Sequence, residues 1–154
     1  MNTLLIRLSL LLTLFSAIAS AEEKLPAQPA ITINTPGAQV IAYYFHGTVR
    51  CETCQKIERQ ACEVIQDKFK SELAAKRLVF KPVNYDLLES AHFLQDYKLP
   101  CPSLVLVRRK DGKDEKWKLL DETWTLVADG AKFDSYVTNE VSKMLPVTTP
   151  ALSQ

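Results

Sequence analysis

Cys51-Glu52-Thr53-Cys54 holds the residues of this chain best suited to chemistry. The pair follows an apolar run, Val40-Ile41-Ala42-Tyr43-Tyr44-Phe45-His46, and opens a helical pattern that starts near Gln55. A strand, a loop and a helix in that order bring two thiols to a helix N-terminus. Unpaired N–H groups and the helix dipole favour thiolate there, lowering a cysteine pKa from ~8.5 into the ~3.5–7.5 range. A thiolate beside a second thiol is equipped for disulfide exchange. A purely structural bridge stays open as the alternative, although closing so short a loop removes little chain entropy.

The other candidates divide less sharply. Cys62 lies eight helical residues beyond Cys54. That is a rise of ~12 Å, beyond the ~7 Å between Cα atoms that a disulfide tolerates. It reads as a buried free thiol at the edge of the apolar face, beside Phe69, with an intermolecular disulfide as the alternative. His46 ends the first strand and is either satisfied by the following loop or a proton shuttle or ligand near the pair. His92 reads as a surface or packing residue, and Trp117 and Trp124 as packing around a hairpin. Arg108, Arg109 and Lys110 read as a solvated strand end and turn.

The elements that must position these side chains follow from pattern. Val40–His46 is expected as a strand buried on both faces, because its apolar run is nearly unbroken. From Cys51 to about Ala75, Ile57, Ala61, Val64, Ile65 and Phe69 recur at helical spacing. Leu78–Tyr85 reads as a second strand, with Pro82 where no ladder N–H is needed. Asp86-Leu87-Leu88-Glu89 has the form of a capping box opening a helix through Tyr97. Ser103–Arg109 is a third strand, and Asp111-Gly112 a hairpin turn into Lys116–Leu120. Trp124–Val127 extends the strand region, and Ala131–Leu145 is an amphipathic helix with Phe133, Val137, Val141 and Met144 on one side. The order β-α-β-α-β-β-α demands an α/β fold: a mixed central sheet with helices on both faces.

The ends differ from the middle. Residues 1–21 carry a single charge, Arg7, an apolar stretch from Leu8 to Ile18, and a small-x-small site at Ala19-Ser20-Ala21. That is the form of a signal peptide, too short in its apolar part for the ~20 residues of a membrane span. Residues 22–39, with Pro26, Pro29 and Pro36, read as a tether with a short strand at Ile31–Ile33. Residues 40–145 form one domain by size, and 146–154 a flexible tail. The chain has 19 basic and 18 acidic residues. Since Arg7 lies in the expected signal peptide, the remainder balances, which argues against nucleic acid or an anionic membrane as partner. No stable membrane insertion is expected. Export to the periplasm or beyond would put the cysteines in an oxidising compartment, where structural and redox disulfides both occur.

Taken in order, these landmarks resemble the thioredoxin superfamily. The CxxC follows the first strand, Leu99-Pro100-Cys101-Pro102-Ser103-Leu104 precedes the third, and Lys110-Asp111-Gly112-Lys113 marks the hairpin. The resemblance covers about Val40 to Leu145, and its strength lies in the joint order. It implies that Cys51 is the exposed nucleophile and Cys54 the buried resolving cysteine. It implies that Pro102 is cis and shapes a groove for substrate, and that Cys101 faces the pair. Beside such a proline, Cys101 would tune or join the exchange, pack against the pair, or complete a copper or zinc site with Cys51, Cys54 and His46.

Three departures are informative. Arg50 stands where the thioredoxin branch usually has tryptophan, Glu52-Thr53 where it often has Gly-Pro, and no carboxylate lies in Val40–His46. Arg50 and His46 would favour a Cys51 thiolate, and Glu52 would oppose it. The sequence therefore points to exchange with proteins bearing thiols or disulfides, together with a redox partner protein. No organic cofactor is implied, since the electrons reside on sulfur. A soft-metal carrier or assembly factor and a non-catalytic interaction module are the alternatives.

Overall fold

A computed structural model describes residues 38–146. The expected signal peptide, the tether up to residue 37 with its strand at Ile31–Ile33, and the tail from Val147 lie outside the described residues.

The first strand, β1 (Gln39–His46), is buried along nearly its whole length and lies inside the sheet. Alternate side chains go to opposite faces. Val40, Ala42 and Tyr44 join one apolar cluster, and Ile41, Tyr43 and Phe45 the other. The long helix α1 (Glu52–Lys68) supplies Ile57, Ala61, Val64 and Ile65 to the first cluster. The helical pattern breaks at Phe69, whose ring enters the same core, and resumes as the short α2 (Lys70–Ala74). Strand β2 (Leu78–Asn84) pairs parallel to β1, with Val40 opposite Leu78 and His46 opposite Asn84. It is an edge strand, where Pro82 is tolerated.

Strand β3 (Ser103–Lys110) pairs antiparallel with the other side of β1, and β4 (Lys113–Leu119) antiparallel with β3. Asp111 and Gly112 join them with φ of 50° and 77°. Two consecutive positive φ values are what a tight hairpin turn requires, so this expectation holds. The sheet order is β2-β1-β3-β4. The terminal helix, α5 (Gly130–Met144), is capped by the Asp129 carboxylate, which accepts from the Lys132 amide at 3.2 Å. Its Phe133, Val137, Val141 and Met144 pack with α1 on one face of the sheet. The other face is covered by Phe93, Tyr97 and Leu99 around the short α3 (Phe93–Asp96). A mixed sheet with helices on both faces is therefore the fold, in the thioredoxin-like arrangement.

Three local expectations are corrected. Asp86 opens no long helix: residues 85–92 are turns and only Phe93–Asp96 is helical. The Asp86 carboxylate accepts instead from the Thr48 amide at 2.6 Å, a partner 38 residues away. The stretch after β4 is not strand but a helical turn, α4 (Thr123–Leu126). Every peptide bond among the described residues is trans, Cys101–Pro102 included. Both carbonyls flanking Pro102 find donors in this geometry: Ser103 Oγ bonds the Cys101 oxygen at 2.6 Å and Trp124 Nε1 bonds the Pro102 oxygen at 2.9 Å.

Candidate functional site

Strand β1 ends at His46, and the chain reverses through Gly47–Arg50 into α1. Two hydrogen bonds lace this loop to the end of β2: Thr48 N to Asp86, and Asn84 Nδ2 to Thr48 Oγ1 at 3.0 Å. Gly47 lies close against it; an added Cβ there would sit 3.1 Å from an Asp86 carboxylate oxygen. The loop therefore delivers Cys51 to α1 from a fixed direction.

Cys51 is the N-cap residue of α1, in an extended conformation with φ −75° and ψ 160°. Its Sγ accepts the Cys54 amide at 3.0 Å. This is the place a serine or aspartate oxygen usually takes, where an acceptor satisfies an orphan N–H. Cys51 is exposed, and Cys54, on the inner side of the first turn, is 4% exposed. The two are joined as a disulfide with Cα atoms 5.1 Å apart. The chain is thus in its oxidised form, with one sulfur facing water and the other facing the core.

Beneath the pair lies a residue that pattern reading treats only as core. Tyr44 is fully buried, and its hydroxyl donates to the Cys54 carbonyl at 2.6 Å. Burial pushes its pKa up to about 12, with Arg50 opposing and Cys101 and Tyr85 adding to the rise. Tyr44 therefore stays protonated at neutral pH and acts as a fixed donor. The available signal was a tyrosine in a fully apolar strand, whose O–H needs a partner once buried.

Arg50 precedes Cys51, and its guanidinium forms an ion pair with Glu58, one helical turn beyond Cys54. Gln55 Nε2 donates to the Arg50 carbonyl at 3.4 Å. Arg50 is thus present beside the pair as expected, but its charge is matched by a carboxylate. His46 Nδ1 lies 2.9 Å from the Gly47 carbonyl oxygen, which is the loop-satisfied role.

Cys101 is a free, half-buried thiol within electrostatic reach of the Tyr44 and Tyr85 hydroxyls. The fold therefore brings Cys101 and Pro102 to the same end of the sheet as the CxxC. Trp124, expected only to pack, holds Pro102 through the bond described above, while Trp117 packs edge-on against Tyr97. Among the described residues no three His, Cys, Asp or Glu side chains are grouped so as to hold a metal ion. The Cys51, Cys54 and Cys101 set, alone or with His46, is not assembled as a ligand cluster in this oxidised form.

Cys62 departs from expectation in part. It is free, but half-buried rather than buried, and accepts a bond from Gln66 Nε2 at 3.2 Å. It lines an open hollow of about 580 Å³ together with Arg50, Glu58, Phe80 and Pro82. Burial and the neighbouring Glu63 raise its pKa, so it stays a thiol at neutral pH. Among the described residues no helix is long and apolar enough to cross a membrane.

No family model matches the chain, and no curated protein matches it. Solved structures similar to it include thioredoxin O2 from Arabidopsis thaliana in the oxidised state, at 15% identity, covering 61% of this chain and 74% of that one with a TM-score of 0.38. A thioredoxin from Thermus thermophilus gives 21% identity, 69% and 76% coverage and a TM-score of 0.41. Fasciola hepatica thioredoxin gives 21% identity, 68% and 82% coverage and a TM-score of 0.39. The thioredoxin-like fold of this chain stands on its own strand order and on the CxxC that opens α1.

Proposed function

We propose that this chain is a thiol–disulfide oxidoreductase acting on other proteins through Cys51 and Cys54. One observation carries the reading: an exposed sulfur that caps a 17-residue helix and accepts a backbone N–H, joined to a second sulfur buried one turn in. In the reduced protein that sulfur is a thiolate. It attacks one sulfur of a partner disulfide, forming a mixed disulfide and expelling the partner's other sulfur, which takes up a proton. Cys54, deprotonated, then attacks Cys51 Sγ. The partner leaves as a dithiol, and the Cys51–Cys54 disulfide carries the two-electron oxidation. Run backwards, the same steps oxidise a partner dithiol, and a second redox protein resets the pair in either direction.

Pro102 and Cys101 flank the substrate side in this proposal. Tyr44 holds the carbonyl of the resolving residue, so that the first turn of α1 keeps its place while the sulfurs exchange. Localisation to the periplasm or outside the cell belongs to the proposal, and cell fractionation tests it.

A Cys54→Ser variant in the native compartment is the test. It should accumulate mixed disulfides through Cys51, identified after capture and release by dithiothreitol. Absence of any Cys51-linked adduct, with the variant folded and Cys51 free, counts against protein exchange.

A further inference from the structure

We propose that Glu58 sets the redox poise of the Cys51–Cys54 couple by neutralising Arg50, a cation that would otherwise stabilise the Cys51 thiolate. The inference rests on the exchange function proposed above and assigns a regulator to the same site.

Arg50 is covalently next to Cys51, and its guanidinium is paired with Glu58. The two side chains are only 27% and 21% exposed, so solvent screens the pair incompletely. Glu58 rides on α1 with both sulfurs, which fixes the carboxylate relative to the disulfide. The Arg50 guanidinium also acts on the Tyr44 hydroxyl, the group bonded to the Cys54 carbonyl. The cation is therefore held within interaction range of the redox turn, and the anion that cancels it is held with it.

The consequence follows from where charge appears. The disulfide carries none, whereas the reduced pair carries a thiolate on Cys51. A cation beside that sulfur favours the reduced form, and an anion disfavours it. With the pair intact, the two effects oppose each other. Removing only the carboxylate should leave Arg50 unopposed, and removing only the guanidinium should leave Glu58 unopposed. Other titratable groups near the pair are Arg59, Cys62 and Glu63 on α1, which share a hollow with Arg50 and Glu58, Tyr44 on β1, Tyr85 after β2 and Cys101 before β3, with Glu52 and His46 close in sequence. Neither substitution changes them, so they cancel in a comparison of variants.

The experiment uses the full chain and three variants, Glu58→Gln, Arg50→Gln and the double substitution. Two quantities are read: the pH at which Cys51 ionises in reduced protein, from thiolate absorbance near 240 nm, and the equilibrium of the pair with dithiothreitol or glutathione buffers. Glu58→Gln should ionise at lower pH and shift the equilibrium about three- to tenfold toward the dithiol, tenfold corresponding to about 30 mV. Arg50→Gln should shift both readouts the opposite way, and the double variant should return close to the parent. Loosening of the loop would move both single variants in the same direction, so opposite signs identify an electrostatic role. Singles that move together, or that do not move while the parent titrates, overturn the inference. Any CxxC disulfide has these two readouts, so absence of protein exchange with opposite-signed shifts removes only the proposed function.

Discussion

Cys51 and Cys62 lie on one helix, eleven positions apart in the numbering, and the structure treats them oppositely. Cys51 caps α1, is exposed, and takes a backbone N–H onto its sulfur. Cys62 sits mid-helix, where every nearby N–H already serves the helical ladder, and only a glutamine amide reaches its sulfur. Burial and Glu63 push its thiol up. The same side chain thus carries a backbone N–H on its sulfur at the helix start, where the proposed function needs a nucleophile, and three turns on is a free thiol whose ionisation burial opposes. Position relative to the orphan amides decides which.

The largest effect that can break this contrast is Cys51→Ser, which should abolish exchange with protein disulfides, whereas Cys62→Ser should leave it unchanged within about twofold. Equal losses in an insulin-reduction assay would mean that Cys62 takes part. Next comes alkylation of the reduced protein at pH 7. Iodoacetamide should modify Cys51 about tenfold or more faster than Cys62, following thiolate fraction, as read by peptide mass spectrometry.

Tyr44→Phe removes only the hydroxyl that pins the Cys54 carbonyl and should cost about 1 kcal/mol in urea unfolding of the oxidised protein. An unchanged midpoint would show that the bond contributes nothing to holding the redox turn. The smallest effect is expected at α5, not on the helix that carries the pair. Glu140 on α5 is buried, and its carboxylate bonds Lys118 at 2.6 Å and Lys143 at 2.8 Å. Hydrogen bonding to Lys118 first, then to Lys143, depresses its pKa below the usual glutamate value of 4.5. A depressed folded-state pKa contributes stability above the unfolded value, and that stability is lost as pH falls through the folded one. Glu140→Gln should therefore flatten the decline in stability below about pH 4.5 while exchange at pH 7 is unaffected. A variant that retained the full acid-limb decline would show that this contact does not drive it.

Much of this arrangement is legible in the sequence. β1, α1, the hairpin turn and the terminal helix follow from periodicity and from Asp111-Gly112, because each is decided by neighbours within a few residues. The CxxC at a helix start follows from the same local signals. What stayed hidden depends on distant partners. Asp86 has the form of a cap, yet its carboxylate is taken by the Thr48 amide across the sheet end. Trp124 reads as strand, but its indole is fixed by the Pro102 carbonyl, 22 positions away. The trans peptide before Pro102 departs from the cis bond that the resemblance implies, and it is the ordinary isomer of an X-Pro bond. The Tyr44 bond and the matching of Arg50 by Glu58 are likewise tertiary facts: neither polar partner is visible from spacing alone. Cys62 was placed too deep because the edge of a helical face says little about what lies beyond it.

Titration of Cys51 in reduced Cys54→Ser protein, followed by thiolate absorbance against pH, tests the central claim most directly. A sulfur ionised by the start of α1 should titrate within the ~3.5–7.5 range. Titration at about 8.5 or above, the value of an ordinary cysteine, would contradict the account.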